Sequence, residues 1–217
     1  MSHWISIRYR FLLALAVVAL AMPLAREGAC AQANAPVLLV VGDSISAGYG
    51  LSTGQGWVDH LATRLSREGY PQRVVNASIS GDTTAGGRAR LPTLLREHKP
   101  AIVILELGGN DALRGGDLNA TRANLDAMIA ASQSAGAKVL VLGMQLPPNY
   151  GPAYVKRFNA LFTESAAAHK AAIVPYLFDT FGEDLSQFQA DRIHPTAAAQ
   201  DRIVTNVWPA LKPLLGK

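Results

Sequence analysis

Short apolar-rich runs alternate along this chain with longer stretches in which apolar residues recur every three or four positions. The runs lie at 37–41 (VLLVV), 73–77, 101–107 (AIVILEL), 138–142 (KVLVL) and 172–174, and three of them end at a glycine. Runs this short and this apolar read as buried strands. Between them, 57–68 places Trp57, Leu61 and Leu65 at i, i+4 and i+8, and 83–98 gathers Leu91, Leu94 and Leu95 on one helical face. Further helices are expected at 117–135, closed by Gly136, at 152–169, with Pro152 in the first turn, and at 196–215, with Trp208-Pro209 near the end. Pro92 conflicts with an unbroken helix over 83–98 and calls for a kink or a later start. Five strand–helix alternations predict one doubly wound α/β domain, its parallel sheet covered on both faces. In such sheets ligands bind beyond the carboxyl ends of the strands, so the residues just after each run are the ones to inspect.

Composition changes this picture mainly at the N-terminus. Arg8 and Arg10 precede an apolar run over 11–21, and the small-residue triplets Ala29-Cys30-Ala31 and Ala31-Gln32-Ala33 follow. That order is the pattern of a secretory signal peptide, too short in its apolar part to span a bilayer. Residues 1–33 are therefore expected to be cleaved, after Ala31 or Ala33, leaving 34–217 as the domain. Acylation at Cys30 is the other reading of this segment, but Glu27 stands where a lipobox has an aliphatic residue. The whole chain carries 20 Lys+Arg against 16 Asp+Glu and one cysteine. Removing 1–33 takes Arg8, Arg10, Arg26, Glu27 and Cys30, so the domain holds 17 basic residues against 15 acidic ones and no thiol. A charge this small does not suggest a nucleic-acid surface. Without Cys30 there is neither a disulfide framework nor a cysteine nucleophile.

Four polar clusters follow the strands. Gly42-Asp43-Ser44-Ile45-Ser46 puts a serine on the turn after the first run, without the second glycine of a G-x-S-x-G elbow. Asn76-Ala77-Ser78-Ile79-Ser80-Gly81-Asp82-Thr83 sets a glycine ahead of a helix, where its N–H can meet an anion. Gly108-Gly109-Asn110-Asp111 offers an amide that donates without changing charge. Asp191-Arg192-Ile193-His194-Pro195 has a carboxylate three residues before an imidazole, a spacing that can hold Nδ1–H and leave Nε2 as a base. Each alone has a plain reading, as an N-cap, a turn or a chance spacing. His60, His98 and His169 fall on or at the ends of amphipathic helices, and no pair has metal-ligand spacing. Neither a metal nor a cofactor is expected. Asp43 and Asp111 read as hydrogen-bonding supports of their loops, and Trp57 with Leu91, Leu94 and Leu95 as core.

Taken together and in this order, GDSISAGYG, NASISGDTTAGG, ELGGNDALRG, QLPPNYG and DRIHP resemble the SGNH (GDSL-type) hydrolases, over nearly all of 38–215. The likeness is to their subgroup of periplasmic thioesterases, lysophospholipases and arylesterases. One departure is Ile45, where the family's name has a leucine. The resemblance implies a single three-layer α/β/α domain of flavodoxin-like topology with five parallel strands. It implies Ser44 as nucleophile, His194 as general base and Asp191 as its orienting carboxylate. It also implies an oxyanion hole made by the Ser44 and Gly81 backbone N–H groups and the Asn110 amide. The expected activity is an exported, periplasmic serine esterase or thioesterase acting as a monomer on small acyl substrates. A carbohydrate O-acetylesterase and a non-catalytic acyl-binding protein are the alternatives. For the acyl groove, the loops 112–116 and 146–150 supply Leu113, Leu146 and Tyr150, and Gly115-Gly116 suggests a mobile flap.

Overall fold

The computed structural model describes residues 35–216, and the expected leader and its cleavage points lie outside them. Five strands, β1 (Val37–Gly42), β2 (Arg73–Asn76), β3 (Ile102–Glu106), β4 (Lys138–Leu142) and β5 (Ala172–Val174), form one parallel sheet in the order β2-β1-β3-β4-β5. The helices are α1 (Ser44–Ala47), α2 (Trp57–Arg67), α3 (Thr84–His98), α4 (Gly109–Leu113), α5 (Leu118–Ser134), α6 (Pro152–Ala168) and α7 (Gln200–Leu215). All five expected strands and five expected long helices are present. The turns α1 and α4, each a helix of five residues or fewer directly after a strand, have no apolar periodicity to announce them.

Strand alternation sorts the core into two layers. Leu38, Val40, Ile102, Ile104, Leu140 and Leu142 face one side, against Trp57, Leu61 and Leu65 of α2 and Ile203, Val207 and Leu211 of α7. Val37, Leu39, Val41, Val103, Leu105, Val139 and Val141 face the other, against α3, α5 and α6 through Leu91, Leu95, Met128, Ile129, Phe158 and Phe162. Both faces of β1, β3 and β4 are thus dry, which is why these strands read as continuous apolar runs rather than alternating ones.

Two helix boundaries differ from the pattern. The last helix begins at Gln200, because Ala197–Ala199 forms a separate 3₁₀ turn. α3 starts at Thr84 and runs through Pro92, so a late start does not relieve that proline. Pro92 and also Pro209 and Pro213 of α7 are exposed. On that side the carbonyl deprived of its N–H partner can turn to water, and the helix continues. The chain adds β2 on one side of β1 and then crosses back to β3 on the other. That reversal opens a crevice at the carboxyl ends of β1 and β3, the usual binding place in open α/β sheets.

Candidate active site

β1 delivers its last residue, Gly42, to that crevice, and Asp43 caps the α1 turn by accepting the Ile45 N–H at 3.0 Å. Asp43, not Ser44, therefore makes the N-cap, and Ser44 opens the helix with its hydroxyl free for other work. Its Oγ lies 2.8 Å from His194 Nε2, and His194 Nδ1 lies 2.6 Å from Asp191 Oδ2. The other carboxylate oxygen, Oδ1, accepts the backbone N–H of Ile193 at 2.9 Å and of His194 at 3.0 Å, which stiffens the loop. This network assigns Nδ1 as the protonated nitrogen and leaves Nε2 able to take a proton from Ser44. The Tyr49 ring covers the imidazole, with centroids 4.5 Å apart.

The Ser44 and Gly81 backbone N–H groups have no acceptor among the described residues. Asn110, in α4, donates through Nδ2 to Asp43 Oδ2 at 2.9 Å and to the Asp82 carbonyl at 3.0 Å. Asp111 grips the start of α3, accepting the Thr84 N–H at 2.9 Å and its hydroxyl at 2.5 Å. The chain thus brings Ser44, Gly81, Asn110, Asp191 and His194 to one crevice from four separate loops. His60, by contrast, pairs with Asp201 at 2.7 Å across α2 and α7, and His169 caps α6. Among the described residues, no group of three or more His, Cys, Asp or Glu stands close enough to hold a metal ion.

The two carboxyls nearest Ser44 feel opposite environments. Burial pushes Asp191 upward, but the Ile193 N–H, the His194 ring and the His194 N–H outweigh it and hold the carboxyl down at about 2. Asp43 is 3% exposed, and burial raises it to about 6 despite the Ile45 N–H, the His194 charge and the Asn110 amide. Beneath it lies Glu106, fully buried at the end of β3. Glu106 Oε2 accepts the Ser46 hydroxyl at 2.7 Å and the Asp43 N–H at 3.3 Å, while Oε1 has no partner. Burial first, and the charge of Asp43 second, raise Glu106 well above the usual carboxylate range. A Cβ at Gly42 would lie 2.7 Å from Glu106 Oε2, so only glycine lets this carboxyl tuck under the turn. No role was expected for Glu106, although it opens the ELGGNDALRG stretch and is the one acid in the otherwise apolar AIVILEL run.

A cavity of about 320 Å³ opens beside the crevice, within the roughly 300–1,000 Å³ of small-molecule sites. Leu113, Leu146, Tyr176, Phe178, Phe188 and Ile193 line it, and Gly109 and Ile193 tie it to Asn110 and His194. Of the three expected groove residues, Leu113 and Leu146 are there. Tyr150 is not among the lining residues; it is half-buried at the end of the 3₁₀ turn Pro148–Tyr150 and packs against the α3/α5/α6 core layer. The aromatic wall comes instead from the segment after β5, where the sequence has no regular period. The segment 112–116, expected to be a flap, is tied at its middle and at its end. Arg114 donates to the Gly81 carbonyl at 3.0 Å, and the Tyr154 hydroxyl donates to the Gly116 carbonyl at 2.9 Å.

Serine, imidazole and carboxylate in hydrogen-bonded series, at the switch point of a parallel sheet and next to an apolar cavity, form the arrangement of the serine ester hydrolases. The chain belongs to the GDSL-like lipase/acylhydrolase family, whose profile matches residues 40–202. It is 58% identical to esterase TesA of Pseudomonas aeruginosa over 184 residues, covering 85% of this chain and 92% of that protein. It is 38% identical to the thioesterase 1/protease 1/lysophospholipase L1 of Escherichia coli K12 over 183 residues, covering 84% and 86%. Among solved structures it is similar to the psychrotrophic esterase EstA from Pseudoalteromonas sp. in a form inhibited by monoethylphosphonate. That match has a TM-score of 0.79 and 35% identity, and covers 83% of this chain and 99% of that one. The fold expectation, a single α/β domain on a five-stranded parallel sheet, is the one found.

Proposed function

We propose that this protein hydrolyses carboxylic esters and acyl thioesters through an acyl-enzyme on Ser44. The observation that carries the reading is the unbroken series Ser44 Oγ, His194 Nε2, His194 Nδ1, Asp191 Oδ2, with contacts of 2.8 and 2.6 Å. In acylation, Ser44 Oγ attacks the carbonyl carbon as its proton passes to Nε2. Asp191, held down at about 2, stays charged at every working pH and balances the imidazolium that forms. The former carbonyl oxygen becomes an oxyanion facing the Ser44 and Gly81 N–H groups. Asn110 joins them by sharing one Nδ2 proton between the Asp82 carbonyl and the oxyanion. The tetrahedral adduct collapses, the alkoxide or thiolate leaves with the proton from Nε2, and water reverses the sequence to free the acid.

An acyl chain entering from Ser44 meets the cavity lined by Leu113, Leu146 and the Phe178/Phe188 wall, which favours medium and long chains over acetyl. That lining argues against a carbohydrate O-acetylesterase. Residues 1–33 act as the export leader, and the domain works in the periplasm. No helix among the described residues is long and apolar enough to cross a membrane. The domain acts as a monomer; the large apolar side chains exposed among the described residues are Tyr49, Ile79, Leu185 and Ile193. The test is a series of p-nitrophenyl esters from acetyl to palmitoyl, with the matching acyl-CoA thioesters. Rates should rise from acetyl toward octanoyl, and Leu113→Trp should move the optimum to shorter chains. A wild-type profile that falls steadily from acetyl onward contradicts the acyl-cavity reading.

A further inference from the structure

Arg90 lies on α3, outside every motif that marks the site, and its guanidinium joins the segments that carry it. Nε donates to Asp82 Oδ2 at 2.8 Å, Nη2 donates to the Gly42 carbonyl at 3.3 Å, and Nη1 donates to the Ala77 carbonyl. Gly42 ends β1 two residues before Ser44. Ala77 follows β2 four residues before Gly81. Asp82 follows Gly81 directly, and its own carbonyl accepts one Asn110 Nδ2 proton at 3.0 Å. Each of the three oxyanion donors is therefore a few bonds from an atom that Arg90 holds.

The surroundings keep this contact in place. The Arg90 and Asp82 side chains are 20% and 11% exposed, so the pair is sheltered from water and salt. Asp82 Oδ1 also accepts the Thr83 N–H at 2.9 Å, which fixes the carboxylate at the head of α3. Space for it comes from Gly86, where a Cβ would lie 1.9 Å from Asp82 Oδ1. The Gly42 carbonyl additionally accepts the Ile79 N–H at 3.0 Å, so the end of β1 and the Gly81 loop share one anchor. A planar fork with five donors reaches three acceptors at once, and a lysine ammonium on its flexible stem does not.

Resting on the reading of Ser44 as nucleophile, we propose that Arg90 is a positioning residue that sets the Ser44, Gly81 and Asn110 donors in register. It touches neither the substrate nor the reacting atoms. Preorganised donors stabilise charge without reorganising during the reaction, and a misplacement of about 1 Å can cost on the order of 10²-fold in rate.

The experiment compares wild type, Arg90→Ala, Arg90→Lys and Asp82→Asn, with folding checked by circular dichroism and thermal melting. Four readouts are kcat, KM, the pH profile of kcat/KM, and the rate of phosphonylation by an aryl alkylphosphonate. Arg90→Ala is expected to lower kcat and the phosphonylation rate together, by about 10- to 100-fold. KM should stay within about twofold, with an unmoved pH profile, because binding and the imidazole are untouched. Added guanidinium at sub-denaturing concentration should restore part of kcat in Arg90→Ala, and sodium chloride at equal ionic strength should not. Arg90→Lys should resemble Arg90→Ala, and Asp82→Asn should fall between them and wild type. If Arg90→Ala does not fold, Arg90→Lys and Asp82→Asn carry the same test from the two ends of the contact. Folded variants phosphonylated at the wild-type rate, or a loss confined to KM, overturn the proposal while leaving the Ser44 reading intact. A wild-type protein that takes no phosphonate on Ser44 overturns the Ser44 reading instead.

Discussion

Two aspartates reach the Ser44 turn from different parts of the molecule, Asp191 through the His194 ring and Asp43 as the neighbour in sequence. Asp191 sits on the loop ahead of α7 with its side chain 37% exposed, whereas Asp43 lies in the turn after β1 at 3% exposure. At Asp191, hydrogen bonds from two backbone N–H groups and a ring outweigh a modest burial, and the carboxyl is held at about 2. At Asp43, burial outweighs a comparable set of donors, and the carboxyl rises to about 6. The same functional group is thus tuned in opposite directions by how much water its donors must replace. The difference follows the work. In the proposed mechanism, Asp191 has to be charged whenever His194 turns cationic. Asp43, with Glu106 beneath it, braces the turn that presents Ser44, and its charge is a burden on the fold.

The comparison breaks most sharply at the exposed loop. Asp191→Asn removes the carboxylate that faces Nδ1, and a fall in kcat of about 10³–10⁴-fold is expected, with the melting temperature nearly unchanged. Steady-state kinetics beside a thermal melt checks both halves.

The buried side responds in stability rather than rate. Asp43 and Glu106 have folded pKa values raised above their ordinary 3.8 and 4.5, so between those values and the raised ones the folded state binds more protons than the unfolded one. Stability from these groups is then greatest at low pH and declines as pH rises, the reverse of the usual surface carboxylate. Asp43 alone, moving from 3.8 to about 6, costs on the order of 3 kcal/mol once ionised. Glu106→Gln keeps an acceptor for Ser46 and Asp43 and cannot ionise. Relative to wild type it should gain stability progressively above about pH 4.5, with kcat within about threefold. Glu106→Ala should lose about 1–3 kcal/mol near pH 5, since two buried donors lose their partner, and the loss should shrink as pH rises because alanine does not ionise either. Urea unfolding at about pH 5 and about pH 8 separates the two outcomes.

A smaller effect is expected at the Tyr49 ring, 4.5 Å from the imidazole. During acylation the ring faces a cation, a contact worth about 0.5–1 kcal/mol at an exposed place. Tyr49→Ala should lower kcat by about 2- to 5-fold, and Tyr49→Phe should leave it unchanged.

How far the sequence carried this account depends on the kind of signal each part leaves. Strands β1, β3 and β4 were legible because both faces are dry, and α2 because Trp57, Leu61 and Leu65 fall on one face. Ser44, Gly81, Asn110, Asp191 and His194 were legible through short motifs set directly after strands or ahead of the last helix. The start of α7 was not, since Thr196-Ala197-Ala198-Ala199 suits a helix and a 3₁₀ turn equally. That Tyr150 lies off the cavity lining was not legible, because nothing in LPPNYG reveals which way its turn faces. Glu106 meets Asp43 and Ser46 from 60 or more positions away, and Arg90 meets Asp82, Ala77 and Gly42 from 8, 13 and 48 positions away. Contacts across elements follow no single element's period.

The central claim is that Ser44 is the nucleophile, activated by His194 under the charge of Asp191. The most direct measurement is intact-protein mass followed by peptide mapping after exposure to an aryl alkylphosphonate ester, on wild type and Ser44→Ala. One phosphonyl group per chain, carried on the peptide that holds Ser44, together with no adduct and no esterase activity in Ser44→Ala, is the predicted result. An adduct on any other residue, or a Ser44→Ala protein that still turns over esters at the wild-type rate, would contradict the account.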